Sequence, residues 1–203
     1  MTLGQGKLYV VRNGAVKREV WVRPEDWRLS AEGVLLTIPI AEASFWSQVS
    51  ALYYGPEISS AQTARIITRR WQMRAVCEWD LREWVQRPTS KPSILRSWWP
   101  LEIQASLPVA PMEDFPQAQA RVVSCLQRLA AKEQGKSFAV VMQGRILMAL
   151  FSRLLGRRLG DAEYLALRSP DLSVVNLQTW RVDQGFLSSM QYQDASGAIG
   201  RGD

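Results

Sequence analysis

The chain has 203 residues, 47% of them hydrophobic and 22% charged, with a net charge of +6. That balance suits one folded domain with a real core, excludes bulk disorder, and leaves no apolar run near the ~18 residues that span a bilayer. Histidine is absent altogether, which excludes a phosphohistidine intermediate, a Ser-His-Asp triad, a Cys-His dyad and imidazole-ligated zinc. It also removes the side chain that most often moves protons near neutral pH.

Lys7 to Arg12 reads as a buried, central strand, because Leu8, Val10 and Val11 are core types and Tyr9 suits a strand. It stops at Asn13-Gly14, a polar turn that glycine relieves. A strand ending this way delivers residues to a site at the carboxyl edge of an open α/β sheet. Ser30 is placed to cap a helix running toward Ser50, kinked or shortened at Pro39. Ala51–Tyr54 fits a second strand, and an amphipathic helix continues from Ala64 through Trp71. Arg74–Cys77 is a further short strand.

From Val85 to Pro116 the sequence is rich in proline and tryptophan, including Trp98-Trp99-Pro100. A segment of that length reads as a lid or binding insertion, at about 85–116, rather than a plain connector. Trp98 and Trp99 are its candidates for lining a pocket, with simple packing as the competing role. Gln117–Glu133 has helical spacing and a stop at Gln134-Gly135. Ser137–Met142 is the second strand aimed at the carboxyl edge, reaching Gln143-Gly144, and Arg145–Leu155 is the helix leaving it, stopped by Gly156. Glu163–Leu167 and Ser173–Trp180 read as paired closing strands. Residues 1–195 thus form a single domain, followed by a disordered tail at 196–203 whose Arg201-Gly202-Asp203 is not read as an adhesion motif.

The positive balance favours anionic partners. The arginines are scattered, apart from Arg65, Arg69, Arg70 and Arg74 and the pair Arg157-Arg158, and no nucleic-acid motif accompanies them. A solvated helix face is the preferred reading of that cluster. Cys77 and Cys125 have no metal-ligand spacing and read as reduced thiols; no secretory leader pattern opens the chain. The expected location is the cytoplasm, with no membrane contact, no cofactor and no metal, and a homodimer left open.

Four segments in order resemble the histidine phosphatase superfamily, the phosphoglycerate mutase-like proteins. Val11-Arg12-Asn13-Gly14 is similar to that family's Val-Arg-His-Gly, with Asn13 in place of histidine. Pro56 and Gln62-Thr63-Ala64 fall in register with Ser-Ser-Pro-x-x-Arg-Ala-x-Gln-Thr-Ala, which puts Ser59 where the family has its phosphate-binding arginine. Glu83 takes the position of the glutamate in Leu-x-Glu, the family's proton donor. Val140-Val141-Met142-Gln143-Gly144 matches Val-Val-Ser-His-Gly, with Gln143 at the second histidine. The resemblance implies a three-layer α/β/α sandwich around a mostly parallel sheet.

It also implies a pocket built from Arg12, Asn13, Gly14, Ser59, Gln143 and Gly144, with Glu83 beside it. An amide nitrogen has a delocalised lone pair, so Asn13 cannot accept a phosphoryl group. Histidine-dependent phosphatase or mutase chemistry is excluded. Three readings stay open. The first is a pseudoenzyme binding a small anionic or polar ligand, or a protein partner, in the former phosphate pocket. The second is an enzyme using Glu83 as general acid or base on another substrate. The third is a set of polar groups that merely satisfy one another.

Overall fold

The computed structural model describes residues 6–84 and 113–185. Strand β1 (Lys7–Arg12) sorts the layers by its own alternation: Leu8 and Val10 enter one core, Tyr9 and Val11 the other. The parallel strand beside it, β4 (Ser137–Met142), repeats the pattern, with Phe138, Val140 and Met142 on the first side and Ala139 and Val141 on the second. Both strands are buried on two faces, which is why they read as near-continuous apolar runs.

The remaining strands are β2 (Val49–Tyr54), β3 (Ala75–Cys77), β5 (Asp171–Asn176) and β6 (Val182–Gln184). Together they make a six-stranded sheet in the order β3-β2-β4-β1-β5-β6. β5 alone runs against the others, so the sheet is mostly parallel. The helices are α1 (Ala31–Glu42), α2 (Ile58–Trp71), α3 (Phe115–Lys132), α4 (Gly144–Leu154) and α5 (Asp161–Ala166). α3 and α4 pack on the face of Leu8 and Val10, while residues of α1 and α2 join the opposite core. This is the expected three-layer α/β/α sandwich. No helix among the described residues is long and apolar enough to cross a membrane.

Local chemistry explains the helix ends. Ser30 Oγ accepts the Gly33 N–H at 3.0 Å, as its cap position predicts. α1 runs through Pro39 and ends at Glu42, well before Ser50, and a 3-10 turn at Ser44–Gln48 follows. The carbonyl that Pro39 leaves without a donor belongs to Leu35, which is 65% exposed. α3 starts on a capping box between Asp114 and Gln117. Gln134 and Gly135, at φ 52° and 77°, end it in the left-handed region.

One expectation needs correction. Glu163–Leu167 is not a strand: α5 covers Asp161–Ala166, and the closing pair is β5 with β6. Glu163 Oε2 accepts the Gly160 N–H at 2.8 Å, and the acids of that first turn favour a helix start. The Trp98 and Trp99 lid and the tail at 196–203 lie outside the described residues. The two cysteines are unpaired, Cys77 exposed and Cys125 buried.

Phe138 is fully buried and meets Tyr53 edge-on at 6.1 Å between ring centroids. Phe138→Ala should destabilise the chain by about 3–5 kcal/mol, the usual cost of emptying an aromatic core site. Urea unfolding measures this, and a loss below about 1 kcal/mol would mean that the core collapses around the gap.

Candidate functional site

Two parallel neighbours end side by side at the sheet's carboxyl edge, with Arg12 in register with Met142. The Asn13 N–H donates to the Met142 carbonyl at 3.1 Å, which ties the loop after β1 to the loop after β4. Arg12-Asn13-Gly14 and Gln143-Gly144 therefore leave the sheet together. α2 adds Ser59 from its first turn, and the segment after β3 adds Glu83. All seven site residues expected from sequence inside the described range belong to this region.

Asn13 is 4% exposed, and its Nδ2 donates to the Gly14 carbonyl at 2.9 Å. Gln143 Nε2 donates to Ser59 Oγ at 2.7 Å, joining α2 to the turn that opens α4. The Gly14 N–H donates to Thr63 Oγ1 at 3.0 Å, and Thr63 Oγ1 in turn donates to the Ser59 carbonyl at 2.8 Å. Gly14 has to be glycine, since a Cβ there would lie 2.8 Å from the Gly33 carbonyl oxygen. Gln62 Oε1 accepts the Leu29 N–H at 2.8 Å. Gln62 and Thr63 thus hold the loops around the site.

Arg12 is committed in part to the fold. Its Nη1 donates to the carbonyls of Leu167 at 2.7 Å and Arg168 at 3.1 Å, and its guanidinium lies 5.5 Å from the centre of the Tyr164 ring. Its Nη2 and Nε turn toward Gly144, 3.2 and 3.3 Å from where a Cβ would stand. Burial, and to a lesser degree the charge of Arg18, pulls its pKa down, while Tyr164, Glu83 and Asp171 oppose that. It nevertheless stays cationic at neutral pH.

Glu83 sits at the start of α4. Oε1 accepts the N–H groups of Trp84 and Ile146, both at 2.8 Å, and Oε2 accepts the Arg145 N–H at 3.1 Å. An anion at a helix N-terminus is held by unpaired amides and by the helix dipole. Burial still pushes this carboxyl above its ordinary range, against the pull of Arg145 and the three N–H donors. The arrangement brings the Arg12 guanidinium, the enclosed Glu83 carboxyl and a set of neutral hydrogen-bonding groups to one edge.

Sequence reasoning missed Tyr164, Ser169 and Glu57. Tyr164 lies under Arg12 from a segment read as a strand, and Ser169 Oγ donates to the Asn13 carbonyl at 2.7 Å across 156 positions. No local pattern signals such contacts. Glu57 Oε1 accepts the Glu83 N–H at 2.6 Å; an acid inside the otherwise matching Pro56 to Ala64 segment was the available signal. Glu78, Asp80 and Cys125 cluster elsewhere, but Arg128 already bridges both carboxylates.

The family model of the histidine phosphatase superfamily (branch 1) matches residues 8–188. No curated protein matches the chain. Among solved structures, YhfR of Bacillus stearothermophilus is similar at 15% identity and a TM-score of 0.66, covering 91% of this chain and 98% of that one. A phosphoserine phosphatase from Entamoeba histolytica, in complex with 3-phosphoglyceric acid, gives 14% identity and a TM-score of 0.64, over 92% and 99% of the two chains. A mycobacterial glucosyl-3-phosphoglycerate phosphatase gives 18% and 0.62, over 91% and 99%. At these identities the likeness establishes the shared fold.

Glu83→Ala should cost about 1–3 kcal/mol, because it leaves the Arg145 and Ile146 N–H groups without their acceptor. Glu83→Gln keeps an oxygen acceptor and should lose less. Equal unfolding midpoints for the wild type and both variants would show that the carboxyl does not cap α4.

Proposed function

Because the chain belongs to the histidine phosphatase superfamily and yet contains no histidine, we propose that it is a pseudoenzyme. In this reading the former phosphate pocket binds a small anionic or polar ligand without transferring a phosphoryl group, and the protein works in the cytoplasm. One observation carries the proposal. Both positions that the resemblance matches to the family's histidines hold amides, and both amides are engaged: Asn13 Nδ2 with the Gly14 carbonyl, Gln143 Nε2 with Ser59 Oγ.

Neither amide has a basic lone pair to attack phosphorus. Ser59, where the resemblance places an arginine, is fully buried and neutral. A single well-placed donor to a transition state is worth about 2.7–4 kcal/mol, so losing a nucleophile and two cationic or charge-assisted contacts together leaves no route to useful phosphoryl transfer. Arg12 supports anion binding, since Nε and Nη2 remain turned toward Gly144 while Nη1 holds the loop. Phosphorylated small molecules are the first class to try, because the similar structures include named phosphatases. A protein partner at the same surface is the other outcome such tests can reveal.

The raised pKa of Glu83 favours a second reading, an enzyme that uses this carboxyl as general acid or base on a substrate outside phosphate chemistry. Against it, both carboxylate oxygens already accept backbone N–H groups. Glu83→Gln would abolish any turnover that depends on it.

Incubation with phosphomonoesters should release phosphate no faster than buffer does, and no phosphoenzyme should form. A thermal-shift screen of phosphorylated metabolites should give a stabilising ligand. Arg12→Ala should then weaken that ligand about tenfold or more, the loss of one charge-assisted hydrogen bond. Sustained phosphate release by the purified chain would overturn the pseudoenzyme reading, and a ligand indifferent to Arg12→Ala would bind elsewhere.

A further inference from the structure

Glu57 is the acid that the site does not explain. It occupies the residue before α2, where a carboxylate ordinarily caps the helix, yet its side chain makes no capping hydrogen bond. It reaches across to the segment after β3 instead, where Oε1 takes the Glu83 N–H at 2.6 Å. The residue is 5% exposed. Its Oε2 is buried and has no hydrogen-bond partner among the described residues.

The surroundings of Oε2 suit a proton better than a charge. Oε2 and the Leu81 carbonyl oxygen border the same space, 2.5 and 2.9 Å from where Gly55 would carry a Cβ. One of Glu57's neighbours there is thus another acceptor. The charged and titratable groups facing Glu57 are Glu83 and Arg82 on the segment it holds, Cys77 from β3, and Arg121 from α3. The cations among them are spent. Arg121 donates to both Glu113 oxygens and to the carbonyls of Asp80 and Arg82, and Arg82 pairs with Glu113 at 2.7 Å. No ion pair reaches Glu57 among the described residues.

We propose that Glu57 is a positioning residue for Glu83, and that its protonation state decides how firmly Glu83 stays seated on the α4 N-terminus. With the proton on, Glu57 is a neutral clamp on the Glu83 backbone. With the proton off, the Glu83 N–H bond to Oε1 strengthens, but two carboxylates then share one enclosed region, and their repulsion loosens the seat of the Glu83 side chain. The site is therefore gated by a proton, whether the pocket binds or turns over its ligand.

Burial, the largest effect, carries the Glu57 carboxyl up from its ordinary range to about 7, against the pull of the backbone N–H groups of Glu83 and Glu57 and of Arg121, while the charge on Glu83 adds to the rise. Below about pH 4.5 the group is protonated in both folded and unfolded chains, and its contribution to stability is fully present. As pH rises toward 7 the unfolded chain ionises first, so that contribution is lost through this window and stays lost above it.

The test is an amide titration of the full chain by 15N–1H correlation spectroscopy from about pH 5 to about pH 9. The Trp84, Arg145 and Ile146 amides, which all donate to Glu83, should shift together through one transition near pH 7. Glu57→Gln should remove that transition and leave the three amides at their low-pH positions, with a higher melting temperature than the wild type above pH 7. Three static amides in the wild type would overturn the proposal. So would a transition that persists in Glu57→Gln. Should that variant fail to fold, the carboxyl carbon shifts of Glu57 and Glu83 in the wild type decide the matter: the transition must appear at Glu57, and its absence there refutes the gate.

Discussion

The parallel pairing of β1 with β4 is the constraint on which the site depends. Two strands separated by some 125 positions run in the same direction and end in register, Arg12 against Met142. The Asn13 N–H to Met142 carbonyl bond then extends the ladder one step into the loops. A parallel pair cannot be closed by a hairpin, so the chain must cross over through helices on both faces. Those crossovers bring Ser59 and Glu83 to the same edge. A one-residue slip would turn Tyr9 and Val11 into the wrong core and carry Asn13 away from Gln143 at the same stroke.

Upon that frame the charges are arranged sparingly. Arg12 is a buried cation at this edge, and part of its hydrogen-bonding capacity holds Leu167 and Arg168 in place. Glu83 spends its carboxylate on the start of α4, a position where an external anion would otherwise find free N–H groups. The chain thus places its own carboxyl on the N–H groups that open α4. The side of Arg12 that carries Nε and Nη2 faces Gly144 and the Tyr164 ring.

Much of this was legible in the sequence. The apolar runs at Lys7–Arg12 and Ser137–Met142, the Ser30 cap and the Gly135 and Gly156 stops each follow from local chemistry, and the folded chain keeps them. The ordered motifs carry Arg12, Asn13, Ser59, Glu83 and Gln143, and the fold brings these residues to one sheet edge. The failures share a physical cause. Asp161–Ala166 is a single helical turn and a half whose identity rests on the Glu163 to Gly160 bond, and its apolar residues alone do not distinguish a short helix from a strand. Tyr164 meets Arg12, and Ser169 meets Asn13, across more than 150 positions, which no periodicity records.

The neutral polar groups at this edge satisfy one another as a set. A site abandoned to drift has no reason to keep its buried polar groups satisfied, because each unsatisfied one costs about 1–3 kcal/mol and an apolar residue would remove that cost. Here Gln143 and Ser59 complement each other as donor and acceptor at 2.7 Å, and Asn13 turns its amide to its own neighbour. Glu57 departs from this economy, since Oε2 stays buried and unanswered among the described residues. A carboxyl that could cap α2, or be replaced by an amide, instead grips the Glu83 backbone with one oxygen and leaves the other for a proton. Such a group is costly to keep as mere packing, and its place beside Glu83 gives that cost a purpose.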